Sequence, residues 1–211
     1  MPQDIFTDAA FESFEIPVLD DQMPVVRREI QPVFRYYGRI LENHIDQSFK
    51  SELPVYVAKH IQRKVKPLRH TWVAIGGDNR GYKKYPHFEI GINQNFIYIM
   101  LCYQFHLLEK EKMAQFLKKE SLLKLPSDMH IMLSHYGPDY FNLNEENLNK
   151  GLDRLEKIKG ADFQIGRAMV KSDDRLTNPE ALEEWLKQTV DELWPLFEES
   201  MVVFNRLTNL N

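Results

Sequence analysis

The sequence predicts an α+β fold: a single domain over residues 1–211 in which one mostly antiparallel β-sheet, with a central meander, is covered by long helices. Three observations lead to this prediction. Strand-like runs follow one another closely in the middle of the chain, helical patterns precede and follow them, and neither a linker nor an internal repeat divides the 211 residues. Strands gathered in one part of a chain, with helices around them, are typical of α+β proteins.

A long helical pattern begins after Asp20 and Asp21. Its apolar side chains recur on one stripe: Val26, Ile30, Val33, Tyr37, Ile40 and Leu41. Pro32 lies inside this pattern and predicts a kink or a restart of the helix, because proline lacks the backbone donor that a helix interior requires. A short helix is predicted next, over residues 55–63, and it ends before Pro67.

Three strand-like runs form the predicted meander, over residues 71–76, 86–92 and 96–104. Residues 93–95, with the sequence Asn-Gln-Asn, are a tight connection between the second run and the third. Neighbouring strands with so short a connection must run antiparallel. A helix over residues 107–123 is predicted to follow the meander.

Helices and strands alternate in the second half of the chain. Strands are predicted over residues 130–135 and 163–170. Asn144 is an N-cap candidate for a helix that Gly160 ends. Asn178, followed by a proline, opens a last helix that is long enough to lie across the whole sheet.

The charge of the chain is unevenly distributed. The chain carries a net charge of −4, yet the segment from Lys59 to Phe88 holds eight basic residues and one acidic residue, a local charge of +7. Such a segment on an acidic body concentrates positive potential in one region. The alternative is a basic surface that only interacts with solvent. An isoelectric point near 6.0 argues against a dedicated DNA-binding protein.

Cysteine content and hydropathy predict the cellular location. Cys102 is the sole cysteine, so that an intrachain disulfide is impossible, which fits a reducing compartment. The N-terminus lacks the pattern of a signal peptide. The longest apolar run, residues 96–103, is far shorter than the roughly 20 residues that a membrane helix needs. We therefore predict a cytoplasmic protein without a membrane partner.

The stretch GGDNRGYKKYPHF, residues 76–88, resembles a phosphate-binding loop but fails its requirements. Tyr82 stands at the lysine position of a P-loop, Lys83 stands at the hydroxyl position, and a strand follows where a helix is needed. We predict a long hairpin loop instead. It carries cations, which can bind phosphates, and aromatic rings, which can stack on bases. The alternative is a solvated flap whose tyrosines pack on the sheet.

Strand alternation predicts a pocket behind this loop. Small residues at Ala74, Gly91, Gly166 and Ala168 would form a low floor if their strands align, with Trp72, His87, Glu89 and Gln164 at its edges. His87 and Glu89 share a strand face about 7 Å apart, which leaves room for a substrate or a water molecule. Such a pair suits acid–base catalysis. The alternative is a histidine and a glutamate that are satisfied by structural partners.

Metal and cofactor motifs are absent from the sequence. No HExxH motif and no paired cysteines occur, and we predict neither a metal site nor a cofactor. A site formed by His87, Glu89 and a distant histidine stays open. Cys102 lies in the most apolar strand and is expected to be an inert buried thiol. Arg167 lies on an apolar strand face and needs an anionic partner or an exit to water. The partner is either a ligand or the carboxylate of a structural salt bridge.

Residues 57–92 (VAKHIQRKVKPLRHTWVAIGGDNRGYKKYPHFEIGI) resemble the signature of the YktB-like family of Gram-positive bacteria, an uncharacterised protein family of unknown function. The resemblance extends to FESFEI near the N-terminus, to IQP at residues 30–32 and to GRAMVKSDDRL near the C-terminus. It therefore covers nearly the whole chain. The resemblance implies a single compact α+β domain and brings no catalytic residues with it.

Three functional hypotheses follow. In the first, the protein binds an anionic, phosphate-bearing ligand or nucleic acid; its predicted contacts are Arg63, Trp72, Arg80, Tyr82, Lys83, Lys84 and Arg167. In the second, the protein is a small-molecule enzyme with His87 as acid or base and Glu89 orienting it. In the third, the basic segment docks onto an acidic partner or a second copy. The sequence leaves open whether a reaction is catalysed and which oligomer forms.

Overall fold

Seven strands form one antiparallel sheet in the computed structural model, which describes residues 5–60, 65–118, 122–134 and 139–209. The strands are β1 (Val55–Val57), β2 (His70–Ile75), β3 (His87–Asn93), β4 (Phe96–Tyr103), β5 (His130–Met132), β6 (Phe141–Asn142) and β7 (Phe163–Val170). Their order across the sheet is β1-β2-β3-β4-β7-β5-β6. Together with the helices this sheet confirms the predicted single-domain α+β fold.

The central meander β2-β3-β4 is confirmed. Asn93 builds its second turn, because its side-chain oxygen accepts hydrogen bonds from the backbone N–H groups of Asn95 at 2.8 Å and Phe96 at 3.1 Å. An asparagine that binds the backbone two residues ahead is a common turn former. This turn sets the pairing of Ile92 with Ile97, and with it every pair further along the two strands.

One face of the sheet is covered by helices. The helices are α1 (Asp8–Glu12), α2 (Leu19–Val25), α3 (Gln31–Phe49), α4 (Lys110–Leu117), α5 (Glu145–Lys157) and α6 (Pro179–Thr208). Strand residues such as Val73, Ile90 and Ile99 point to this side and are fully buried against the helices. The 30-residue α6 begins as predicted, because the Asn178 side chain accepts hydrogen bonds from the first N–H groups of the helix.

The predicted restart at Pro32 is confirmed. A π-helical turn over Val26–Ile30 joins α2 to α3, and Pro32 lies in the first turn of α3. Proline cannot donate to the carbonyl four residues earlier and its ring collides with that carbonyl, so the helix widens by one residue before it continues. No described helix is both long enough and apolar enough to cross a membrane.

Two predicted helices are wrong in part. Residues 55–57 form the edge strand β1, paired with β2, where a helix over 55–63 was predicted; residues 61–64 lie outside the described chain. The β-branched valines of residues 55–57 suit an edge strand. Pairing with β2 satisfies the backbone hydrogen bonds there, and local periodicity does not predict such pairing. The helix predicted over 107–123 begins later, at Lys110, because residues 104–107 form a tight turn after β4. It spans Lys110–Leu117, and residues 119–121 of the prediction lie outside the described chain.

The other face of the sheet carries no helix among the described residues. Two smaller clusters lie there: Phe96, Tyr98, Met100, Cys102 and Met132 form one, and Ala58, Trp72, Ala74 and Tyr82 form the other. Tyr82 belongs to the loop of residues 76–86, which folds back onto this side. We call this side the loop face.

Candidate functional site

The glycines of the loop of residues 76–86 are required by its shape. Gly76, Gly77 and Gly81 have φ angles of 132°, 83° and 132°, which residues with a side chain rarely adopt. A Cβ atom on Gly77 would lie 2.4 Å from the carbonyl oxygen of Gly81. Asp78 and Gly81 exchange two backbone hydrogen bonds across this close approach. The glycine-rich start of the stretch therefore forms a tight turn.

Asp78 holds the loop in place. Its carboxylate accepts hydrogen bonds from the Tyr85 hydroxyl and from the Arg80 backbone N–H, both at 2.8 Å. Its carbonyl oxygen accepts a hydrogen bond from the Tyr56 hydroxyl on β1. The Tyr85 hydroxyl, followed by the Arg80 N–H, lowers the pKa of Asp78 below its ordinary value. Asp78 is therefore an ionised structural anchor whose oxygens are engaged within the protein.

A cavity of about 510 Å³ lies beside this loop. Its described lining residues are Tyr56, Asp78, Arg80, Gly81, Tyr82, Lys83, Lys84, Tyr85 and Leu108. The three cations Arg80, Lys83 and Lys84 are exposed, and none forms an ion pair with a described residue. The volume lies within the range of small-molecule sites. The structure thus joins three predicted cations and Tyr82 around one concave surface.

Tyr82 forms the inner wall of the cavity. Its hydroxyl accepts a hydrogen bond of 2.8 Å from the Trp72 indole N–H, and its ring meets the His87 ring edge-on at 4.9 Å. Burial raises the pKa of the Tyr82 phenol. Trp72 itself is not among the described lining residues. It is stacked on His70 at 5.1 Å and meets His60 at 5.3 Å, so that it supports Tyr82 from beneath.

His87 and Glu89 touch each other, which corrects the expectation of a gap between them. The distance from His87 Nε2 to Glu89 Oε1 is 3.2 Å, and both side chains are completely buried. Gln104 donates a further hydrogen bond of 2.8 Å to the same carboxyl oxygen. The two polar side chains have no access to water, and they contact each other because each would otherwise lack a hydrogen-bond partner. No substrate fits between them in this arrangement.

The partners of His87 indicate where its protons lie. Nδ1 is 2.7 Å from the Tyr85 carbonyl oxygen, which can only accept, so Nδ1 carries a hydrogen. The contact from Nε2 to Glu89 then needs a second proton between nitrogen and oxygen. Burial raises the pKa of the Glu89 carboxyl above its ordinary value.

Cys102 joins this pair, which sequence reasoning misses. Cys102 is the cross-strand partner of His87, and its Sγ lies within 4.8 Å of the ligand atoms of His87 and Glu89. Burial, followed by the nearby Glu89, raises the pKa of the thiol well above its ordinary value. The short connection at residues 93–95 is the signal that could have found it, because a tight turn determines which residues face each other along the hairpin.

The ring of Tyr98 fills the space above the predicted floor of small residues. Ala74, Gly91, Gly166 and Ala168 do share the loop face, as the strand register shows. Tyr98 stands between Gly91 and Ala168, and a Cβ atom on Gly91 would lie 2.0 Å from its ring. Gly91 therefore makes room for a buried tyrosine and not for a ligand. The prediction of an open floor at this position is wrong because the alternation of one strand does not show which side chains its neighbours contribute.

Arg167, another predicted contact, lies apart from the cavity. Arg167 is on the helix-covered face, where it forms ion pairs with Asp128 and Glu192, both at 2.7 Å. Its anionic partners are thus structural carboxylates. Arg63 falls within residues 61–64, outside the described chain.

Sequence reasoning also misses two lining residues, Tyr56 and Leu108. Tyr56 reaches the cavity because β1 is a strand, in which Tyr56 pairs with Ala74. The alternation of valine and tyrosine in residues 55–57 is the signal for it. Leu108 is brought there by a backbone hydrogen bond of 3.2 Å from its N–H to the carbonyl oxygen of Lys84.

Comparisons with known proteins identify the family. A family model described as a domain of unknown function (DUF1054) matches residues 6–197. A UPF0637 protein of Shouchella clausii is 34% identical over 204 residues, which are 95% of this chain and 97% of that protein. UPF0637 proteins of Enterococcus faecalis and Listeria monocytogenes are 34% and 31% identical over 92% and 93% of this chain, and over 97% of each relative. The resemblance seen in residues 57–92 is thereby confirmed, and the chain belongs to the DUF1054 (UPF0637) family, an uncharacterised family of Gram-positive bacteria.

Proposed function

We propose that this protein binds a small phosphate-bearing anion in the cavity beside the loop of residues 76–86. One observation carries the proposal: Arg80, Lys83 and Lys84 line a single concave surface together with the rings of Tyr82 and Tyr85. Exposed cations attract anions, and aromatic walls give an organic ligand an apolar surface to contact.

The shape of the site favours a small molecule over a nucleic acid strand. A strand binder needs a basic groove that follows the backbone over several nucleotides. Here three of the predicted contacts, Arg80, Lys83 and Lys84, lie at one cavity of about 510 Å³. The chain also carries a net charge of −4, which opposes binding of a long polyanion away from this basic segment.

The loop is suited to this role because its shape does not depend on the ligand. Asp78 is held by Tyr56, Tyr85 and the Arg80 backbone, and Gly77 packs against Gly81. The cations therefore project from a backbone that is already ordered. A preformed site loses less conformational entropy on binding than a flexible one.

The experiment is a calorimetric titration with pyrophosphate and ATP as probes. Replacing Arg80, Lys83 and Lys84 together by alanine should weaken binding by roughly tenfold for each cation that contacts phosphate. The matched control is the Lys150→Ala, Lys171→Ala double variant, which removes exposed lysines distant from the cavity and should leave affinity unchanged. The proposal fails if the natural protein binds neither probe, or if the triple variant binds as well as the natural protein.

A second titration with single-stranded RNA separates the alternatives. Affinity for RNA that falls steeply with salt, with no affinity for the small probes, would assign the basic surface to a polymer instead. The enzyme alternative, with His87 and Glu89 as an acid–base pair, has less support, because Tyr82 stands between the pair and the cavity. Proton transfer to a ligand in the cavity would require the Tyr82 ring to move.

A further inference from the structure

A nitrogen, an oxygen and a sulfur ligand meet on the loop face behind Tyr82. They belong to His87, Glu89 and Cys102, and the ligand atoms all lie within 4.8 Å of one another. All three side chains are completely buried. These are the three kinds of donor that zinc takes in proteins. The cluster does not belong to the cavity described above, and the inference drawn from it does not depend on the proposed function.

Hydrogen bonds from neighbouring groups orient the side chains of the cluster, as they do for metal ligands in proteins. His87 Nδ1 donates to the Tyr85 carbonyl oxygen at 2.7 Å, which turns Nε2 toward Glu89 and Cys102. Metal-binding histidines almost always donate their other ring N–H to a carbonyl or carboxylate in this way. Glu89 is oriented by the amide of Gln104, which donates to Oε1 at 2.8 Å. Hydrogen bonds thus already orient the two side chains from β3, His87 and Glu89.

The spacing of the donor atoms fits a tetrahedral ion. With Zn–N and Zn–O bonds of about 2.1 Å and tetrahedral angles, the two ligand atoms would lie about 3.4 Å apart. The observed distance from His87 Nε2 to Glu89 Oε1 is 3.2 Å. A Zn–S bond of about 2.3 Å places the sulfur about 3.6 Å from each of the others. Because the ligand atoms all lie within 4.8 Å of one another, neither distance from the sulfur exceeds the tetrahedral distance by more than about 1.2 Å.

The charges of the donors also match a divalent cation. When bound, Cys102 is a thiolate and Glu89 a carboxylate, while His87 is neutral. Their two negative charges balance the two positive charges of the ion, so the buried cluster stays neutral overall. Neutrality matters because an unbalanced charge in a site without water costs several kcal/mol. A nitrogen and a sulfur donor exclude Mg²⁺ and Ca²⁺, which take oxygen ligands.

We propose that His87 Nε2, the Glu89 carboxylate and Cys102 Sγ form a binding site for a divalent transition metal, with Zn²⁺ as the preferred ion. Three protein ligands leave the fourth position of the tetrahedron without a protein ligand. In this site Cys102 takes the place of the distant histidine that was considered from the sequence, because the hairpin register places Cys102 across from His87.

Cobalt spectroscopy provides a direct test. Metal-free protein is titrated with Co²⁺, and the absorption spectrum is recorded at each step. Cys102 is the sole cysteine of the chain, so a thiolate-to-cobalt charge-transfer band can only come from it. We expect such a band to saturate at about one Co²⁺ per chain and to vanish when Zn²⁺ is added. Absence of the band in folded protein would overturn the proposal.

Variants assign the remaining ligands. Zn²⁺ affinity, measured by competition with a chromogenic chelator, should fall by at least about 100-fold in His87→Ala and in Glu89→Gln. Gln104→Met, which removes the hydrogen bond from the Gln104 amide to Glu89 Oε1, should lower the affinity by about 10- to 100-fold. His106→Gln, at an exposed histidine, is the matched control and should change nothing.

Each outcome decides the question. If the two ligand variants do not fold, the cobalt spectrum of the natural protein and the Gln104→Met variant still test the site. Zinc binding without a thiolate band, or zinc binding that is lost in His106→Gln, would assign the metal to surface histidines. In that case the buried trio is a neutral hydrogen-bonded cluster and the proposed site does not exist.

Discussion

The indole N–H of Trp72 donates a hydrogen bond of 2.8 Å to the hydroxyl of Tyr82, and both side chains are buried on the loop face. This bond joins the loop of residues 76–86 to the sheet. The same ring of Tyr82 lines the cavity on one side and meets His87 on the other. Tyr82 is therefore the one side chain shared, among the described residues, by the proposed anion site and the surroundings of the His87 cluster.

Tyr82→Phe should destabilise the protein by about 1–3 kcal/mol, because it leaves the buried Trp72 N–H without its acceptor while preserving the ring. Urea unfolding followed by tryptophan fluorescence measures the change. Tyr36→Phe is the matched control, since the half-buried Tyr36 hydroxyl forms no hydrogen bond with a described residue. Its effect should stay within about 0.5 kcal/mol. Equal stability of Tyr82→Phe and the natural protein would show that the bond contributes nothing.

Asp78 should make the stability of the loop depend on pH. Hydrogen bonds from Tyr85 and Arg80 lower the pKa of Asp78 in the folded state below its unfolded value. The stabilisation is therefore present above the unfolded pKa, near 4, and is lost as the pH falls through the folded pKa. We expect the natural protein to unfold at a higher temperature than Asp78→Asn at about pH 6, with the difference shrinking toward about pH 3.

The control for this effect is Asp139→Asn, at an exposed aspartate that forms no ion pair with the described residues. Its difference from the natural protein should stay nearly constant over the same range. A difference for Asp78→Asn that is also constant with pH would mean that the charge of Asp78 does not hold the loop. Chemical shifts of the Arg80 backbone amide, followed during the titration, would report on the same bond directly.

Arg167→Ala should lower stability without changing anion binding. Arg167 is buried between Asp128 and Glu192, and Arg167→Ala removes both ion pairs and the hydrogen bond to Thr189. Removing one member of a buried ion pair costs about 3–5 kcal/mol, but Asp128 is largely exposed, so we expect about 2 kcal/mol. Urea unfolding measures the loss, and calorimetry with pyrophosphate at a temperature where the variant is folded measures binding. Weaker pyrophosphate binding by folded Arg167→Ala would contradict the structural role.

Much of the fold could be predicted from residues close together in the chain. The N-cap of Asn178, the restart at Pro32 and the turn at Asn93 act over a few residues, and the structure contains all three. Strand alternation correctly assigned Trp72 to the loop face and Arg167 to the opposite face. Periods of two and 3.6 residues follow from backbone geometry alone, so a sequence displays them without its fold.

The tertiary structure decided which side chains meet. Cys102 reaches His87 only through the register of β3 and β4, and Tyr98 covers Gly91 because their strands are paired. Tyr56 lines the cavity because β1 pairs with β2 and does not form a helix. Such contacts depend on strand pairing and on how completely the packed side chains fill the interior, which are properties of the whole chain. The basic, aromatic loop and its sheet face were therefore visible in the sequence, while the buried cluster of His87, Glu89 and Cys102 was not.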